Sequence, residues 1–204
     1  DCETSGGRTR GKMEMEGKKV LVVGTGKSGI AAATLLHEVK AVPVMYDENE
    51  KVDRDAVIGR LPEGCRPEIL TGNFPKGRRE EFSLVVMSPG VPVETPFVEG
   101  FVEKKIPVWG ELELGYAFLQ GRLAAITGTN GKTTTTALVG QILSDHYASV
   151  FVVGNIGDPI THEVLSTRPE SLTVAEVSSF QLETARRFHP AVSAILNITP
   201  DHLN

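Results

Sequence analysis

Thr127-Gly128-Thr129-Asn130-Gly131-Lys132-Thr133-Thr134 sets two glycines, a lysine and a group of hydroxyls between two apolar stretches. The first, Leu123 to Ile126, reads as a buried strand, and the second, Thr136 to Leu143, has helical spacing. A glycine-rich turn from strand to helix lets backbone N–H groups wrap phosphate oxygens, and the helix N-terminus adds positive partial charge. Lys132 has the reach for β- and γ-phosphates, and the Thr133 hydroxyl can ligate Mg²⁺. The spacing departs from G-x-x-x-x-G-K-[ST]: Ile126 occupies the first slot, and the first glycine is Gly128. The plainer alternative is a turn with Lys132 as a solvated charge. Gly-Lys-Thr at a strand–helix junction favours the phosphate loop.

Other candidates stand at strand ends. Glu176 closes the apolar run Leu172–Ala175, where phosphate-loop proteins place a carboxylate for Mg²⁺. His202 follows Asp201 beyond the run Ala191–Leu196, and a metal role and a structural one both stay open for it. Near the start, Lys19–Val23 leads into Gly24-Thr25-Gly26-Lys27-Ser28-Gly29, a helix over 30–39 and a strand from Ala41 that ends in Asp47. That G-x-G-x-x-G with an acid about twenty residues on is the pattern that seats a nucleotide pyrophosphate. It does not say which nucleotide, and glycines kept for helix–strand packing are the alternative. Ser88-Pro89-Gly90-Val91-Pro92 makes a rigid loop, or a plain turn, at the end of the run Leu84–Met87. Ser178-Ser179 can cap a helix beginning at Phe180 or touch a substrate.

Strands alternating with helices predict an α/β chain: a Rossmann-like parallel-sheet domain over 18–120, then a P-loop α/β domain over 121–204. Helices are expected over 51–61, 97–105 and 110–119, and strands over 68–70, 106–109 and 149–153. Residues 1–17 lack periodicity and read as a disordered extension, with the natural start at Met13 or Met15. The chain stops just past a strand, where a doubly wound fold would continue, so the second domain is expected to be cut short. Net charge −5 implies no general nucleic-acid affinity, and no apolar run is long enough to span a bilayer. Cys2 and Cys65 form no disulfide or metal pattern, so a reducing, cytoplasmic setting fits.

Thr127–Thr134 resembles the phosphate loop of the Mur ligases and folylpolyglutamate synthases, in which the displaced glycine is usual. Glu176-Val177-Ser178-Ser179-Phe180-Gln181-Leu182-Glu183 is similar to the D-glutamate-adding branch of the Mur ligases. So are Gly154-Asn155-Ile156-Gly157, Asn197-Ile198-Thr199-Pro200-Asp201-His202 and Val23–Gly29. The resemblance implies three domains, for a UDP-linked substrate, for ATP and for the incoming amino acid, the third absent here. It implies an ATP-dependent ligase of peptidoglycan synthesis that joins D-glutamate to UDP-N-acetylmuramoyl-L-alanine through an acyl phosphate. By resemblance Gly128, Thr129, Asn130, Gly131, Lys132, Thr133 and Thr134 bind ATP. Lys132, Glu176 and His202 are catalytic. Thr133 and Glu176 hold one Mg²⁺, and His202 holds a second with a carbamylated lysine lying beyond Asn204. Gly26, Lys27, Ser28, Asp47, Ser88 and Gly90 match the uridine-diphosphate site, and Asn155 and Ser178 the muramoyl-alanine arm. The full-length parent is expected to be a cytoplasmic monomer, and the 204-residue stretch to be inactive alone. Two other readings stay open: another amino-acid ligase of this superfamily, and an NAD(P)-dependent oxidoreductase resting on Gly24, Gly26 and Gly29. A nucleotide-binding module without catalysis is a further alternative for the stretch as it stands.

Overall fold

The computed structural model describes residues 14–155 and 157–200. Two sheets, every strand pair of them parallel, carry the chain. The first has the order β3-β2-β1-β4-β5, built from β1 (Lys19–Val23), β2 (Val42–Asp47), β3 (Glu68–Thr71), β4 (Leu84–Met87) and β5 (Val108–Gly110). The second has the order β7-β8-β6-β9, from β6 (Arg122–Thr127), β7 (Val150–Gly154), β8 (Leu172–Glu176) and β9 (Val192–Ile195). Parallel strands buried on both faces read as continuous apolar runs, and Val-Leu-Val-Val in β1 and Leu-Val-Val-Met in β4 are such runs.

Pairing register delivers the site. In the first sheet β1 lies between β2 and β4, so the chain leaves β1 at a point where strand order reverses, the place where open α/β sheets bind ligands. In the second, β6 lies between β8 and β9, with Ile126 opposite Glu176 and Thr127 opposite Ile195. Glu176 and Asn197 therefore flank the loop that follows β6.

The helices are α1 (Lys27–Glu38), α2 (Arg54–Ile58), α3 (Pro96–Val102), α4 (Glu111–Phe118), α5 (Lys132–Ser144), α6 (Ile160–Glu163) and α7 (Ser179–Glu183). α1 and α5 start several residues earlier than apolar spacing predicts. Each begins directly after a glycine, Gly26 or Gly131, whose turn already aims the backbone into the helix. α2 is shorter than the expected 51–61, because the Asp53 side chain accepts from Ala56 N at 3.0 Å and so caps the helix. α6 and the 3-10 turn Val164–Ser166 after it are too brief to show a period, and sequence reasoning passed over them.

β1 divides its side chains between two cores. Leu21 and Val23 join Tyr46, Phe82, Met87 and Phe101 on one face. Val20 and Val22 join a second cluster that runs on through Leu112 and Leu114 of α4 to Ile160 of α6 and to Val153 and Ala175 of the other sheet. The two halves thus share this second cluster. Met15 is 2% exposed and belongs to it, which corrects the expectation of a disordered stretch reaching residue 17. Residues 1–13, and with them the alternative start at Met13, lie outside the described residues. Among the described residues no helix is long and apolar enough to cross a membrane.

Candidate functional site

The loop after β6 holds the densest polar geometry of the second sheet. Gly128 has φ +139°, and a Cβ there would lie 3.1 Å from both the amide nitrogen and the carbonyl oxygen of Asn197. Gly131, with φ +82°, caps α5 in the left-handed region that favours glycine. Asn197 clamps the loop. Its Oδ1 accepts from Asn130 N at 2.8 Å, its Nδ2 donates to Asn130 O at 2.8 Å, and its carbonyl accepts from Thr129 N at 3.1 Å. The Thr129 hydroxyl donates to Thr199 O at 3.1 Å and accepts from Thr199 N at 3.0 Å. Lys132 Nζ donates to Gly128 O at 2.7 Å and Thr129 O at 3.0 Å, so its charge is held over the loop. Thr134 lies in the first turn of α5, whose leading amides have no intrahelical acceptor and point toward the loop.

Beneath the loop, Thr133 Oγ1 donates to Glu176 Oε2 at 2.9 Å, and Asn155 Nδ2 donates to Glu176 Oε1 at 3.2 Å. Glu176 is only 2% exposed. A hydroxyl and a buried carboxylate in contact below a phosphate-type loop are hard oxygen donors suited to Mg²⁺. His202 lies outside the described residues.

In the first sheet Gly24 has φ +101°, and a Cβ on it would lie 2.7 Å from Ser88 Oγ. A Cβ on Gly29 would lie 2.0 Å from Gly24 O, so this glycine lets α1 close onto its own loop. Gly26 is exposed at the head of α1 and Ser28 is half-buried in its first turn. Asp47 Oδ2 accepts from Thr25 N at 3.2 Å and Thr25 Oγ1 at 2.7 Å, and Oδ1 accepts from Asn49 N at 3.1 Å. Lys27 reaches across to the other half, with Nζ 2.7 Å from Gly157 O and 3.0 Å from Asp158 Oδ1. Among the described residues Ser88 Oγ is buried without a hydrogen-bond partner.

Ser88 and Gly90 line a cleft of about 370 Å³ between the two halves. One wall is the loop from Ser88 to Glu94, and the other is Phe180, Gln181, Glu183 and Thr184. Ser178 supports that second wall as the cap of α7: its Oγ accepts from Gln181 N at 3.3 Å, while Gln181 Oε1 accepts from Ser178 N at 2.9 Å. Sequence reasoning passed over Asn197 as the loop clamp and Glu111 and Glu113 as buried acids. Asn197 had one usable signal, its place at the end of a strand beside the glycine loop.

Parallel sheets with glycine turns at the carboxyl ends of their central strands, and a hydroxyl–carboxylate pair under one of them, define an α/β protein of the phosphate-loop class. Residues 18–110 match the family described as "Mur ligase MurD-like, N-terminal domain", and residues 126–204 match "Mur ligase middle domain". The chain belongs to the Mur ligase family. It is 56% identical over 192 residues to the UDP-N-acetylmuramoylalanine--D-glutamate ligase of Lachnospira eligens, a match covering 94% of this chain and 42% of that protein. The enzyme of the same name from Lachnoclostridium phytofermentans is 53% identical over the same shares. The chain therefore spans less than half the length of these relatives. Among solved structures, the UDP-N-acetylmuramate:L-alanyl-gamma-D-glutamyl-meso-diaminopimelate ligase (MPL) from Neisseria meningitides superposes with a TM-score of 0.54 at 16% identity, over 92% of this chain and 63% of that one. The UDP-N-acetylmuramate-alanine ligase MurC from Thermotoga maritima does so with a TM-score of 0.50 at 25% identity, over 91% and 43%.

Proposed function

We propose that this chain forms the substrate- and ATP-binding portion of a ligase that joins D-glutamate to UDP-N-acetylmuramoyl-L-alanine. In this reading residues 18–120 bind the UDP-linked substrate and residues 121–204 bind ATP. The observation that carries it is the Thr133–Glu176 contact of 2.9 Å beneath the glycine loop, in a chain 56% identical to a D-glutamate ligase. The alanyl carboxylate attacks the γ-phosphorus, the bond to ADP breaks, and an acyl phosphate forms. The D-glutamate amine then attacks the acyl carbon and phosphate leaves.

Each residue has a part. Gly128 to Thr134 seat the ATP phosphates, and Lys132 moves from the loop carbonyls to the transferring phosphoryl group. Thr133 and Glu176 would hold Mg²⁺ and His202 would serve a second metal, which when bound would supply charge neutralisation at the phosphoryl oxygens. Gly26, Ser28, Ser88 and Gly90 line the uridine-diphosphate site. Asp47 shapes it by holding Thr25, and Lys27 closes it from the side by bridging to Asp158. Asn155 steadies Glu176 and Ser178 steadies the cleft wall. With Asp47 committed to Thr25 and Asn49, the acid that would take a ribose hydroxyl in a dinucleotide enzyme is already engaged, which weighs against an NAD(P) oxidoreductase. Cytoplasmic synthesis of a peptidoglycan precursor follows from the reaction.

Calorimetry tests the binding half of this proposal. UDP-N-acetylmuramoyl-L-alanine is expected to bind the chain and NADPH not to; tighter binding of NADPH would overturn the reading.

A further inference from the structure

α4 starts where the two sheets meet and carries two almost wholly buried acids, Glu111 at 2% and Glu113 at 1% exposure. A buried carboxylate is costly unless donors meet its oxygens, so the donors show what each acid holds. Glu111 Oε1 accepts from Thr161 N at 2.9 Å and Thr161 Oγ1 at 2.6 Å, which ties α4 to α6. Glu113 gathers three successive amides: Arg186 N at 3.0 Å, Arg187 N at 2.8 Å and Phe188 N at 3.2 Å. Those amides lie in irregular chain just after α7, where no sheet or helix ladder takes them up.

Neighbouring contacts act on the same segment. Tyr116 Oη donates to His189 O at 2.5 Å, and the Tyr116 and Phe188 rings meet edge-on at 5.1 Å. The Arg187 guanidinium lies 5.9 Å from the centre of the Trp109 ring. A Cβ on Gly110 would lie 2.1 Å from Thr184 Oγ1, so the head of α4 rests directly against the end of α7. The segment held in this way continues from the Phe180–Thr184 wall of the cleft, whose opposite wall is the Ser88–Glu94 loop.

We propose that Glu113 is a positioning residue for this cleft: by gathering the Arg186–Phe188 amides it fixes α7 and so sets the distance between the two walls. Its effect on ligand binding rests on the substrate reading above; its effect on the wall does not. Among the described residues Glu113 makes no hydrogen bond to the phosphate loop or to the Thr133–Glu176 pair. Glu113→Gln keeps the shape but turns one accepting oxygen into an N–H₂ group that faces amide donors. Glu113→Asp keeps both acceptors and withdraws them by one methylene.

Trp109, the only tryptophan of the chain, reports directly on Arg187. In Glu113→Gln its emission is expected to move to the red and its quenching by acrylamide to rise, at a temperature where circular dichroism matches the wild type. Amides of α7 should exchange about tenfold faster, with those of β6 and α5 unchanged. A purely global loss of stability would instead speed exchange in β6 and α5 as well and leave the native emission unchanged. Affinity for UDP-N-acetylmuramoyl-L-alanine should fall about tenfold while that for UDP stays within about twofold. Glu113→Asp, the milder change, shows the same signs at smaller size and serves where Glu113→Gln does not fold. Wild-type emission together with wild-type α7 exchange in a folded variant would overturn the proposal. So would equal weakening of both uridine ligands. If the wild type binds neither ligand, the substrate reading fails and the emission and exchange results alone decide the role of Glu113.

Discussion

At the scale of single residues, the proposed chemistry rests on a few atoms around one loop. In that reading Lys132 supplies the cation, and Thr133 with Glu176 supplies the oxygen pair. Lys132→Ala removes charge-assisted hydrogen bonds worth about 1.5–3 kcal/mol. Affinity of the chain for Mg²⁺–ATP should therefore drop by roughly 10- to 150-fold; calorimetry showing wild-type affinity would make Lys132 a bystander. Glu111 gives a pH signature. Burial pushes its carboxyl above its ordinary 4.5, with the hydrogen bonds from Thr161 pulling the other way. An acid raised in the folded state gives stability that is full below the unfolded value and lost as pH rises through the folded one. Glu111→Gln, neutral at every pH, escapes that loss. Thermal midpoints should thus shift in favour of the variant as pH climbs from about 4 toward neutrality, and parallel curves would contradict the assignment. The glycines, Lys132, Thr133 and Glu176 were legible in the sequence, since a glycine loop and a strand-end acid announce themselves by spacing. Glu113 was not, because its three partners lie 73, 74 and 75 positions away and are amides, which carry no side-chain signal.

At the scale of elements, strands were the most readable part. The apolar runs at Lys19–Val23 and Leu84–Met87 become β1 and β4 with the expected bounds, because a strand buried on both faces leaves little room for polar residues. Helix starts were less readable. The apolar stripe of α5 begins inside the helix, whereas the helix itself begins at the loop glycine. α6 is a single turn placed by packing on α4 and carries no pattern of its own. The glycines that join strand to helix can be tested singly. Gly29→Ala would set a methyl 2.0 Å from Gly24 O, which only a backbone shift can relieve. It should destabilise the chain by about 1–3 kcal/mol, read from the midpoint of denaturant unfolding. An unchanged midpoint would mean that α1 does not close onto its loop as described.

At the scale of the whole molecule, the two sheets are joined by more than a linker. One apolar cluster passes from Val20 and Val22 through Leu112 and Leu114 to Val153 and Ala175. Lys27–Asp158 and the two acids of α4 cross the same boundary. The halves should therefore unfold together, with Trp109 emission and far-ultraviolet circular dichroism giving one coincident transition. Two separated transitions would show that the shared core does not couple them. The ligase assignment is tested most directly by exchange with the 56% identical Lachnospira eligens relative. This chain replaces the matching segment of that enzyme, and phosphate release from ATP is followed. The chimaera should release phosphate only when UDP-N-acetylmuramoyl-L-alanine and D-glutamate are both present. Its Lys132→Ala form should be slower on the order of a hundredfold or more. The 204-residue stretch by itself, which covers 42% of that relative, should run at less than about a tenth of the chimaera's rate. A folded chimaera that binds ATP and yet releases no phosphate with both co-substrates would contradict the account.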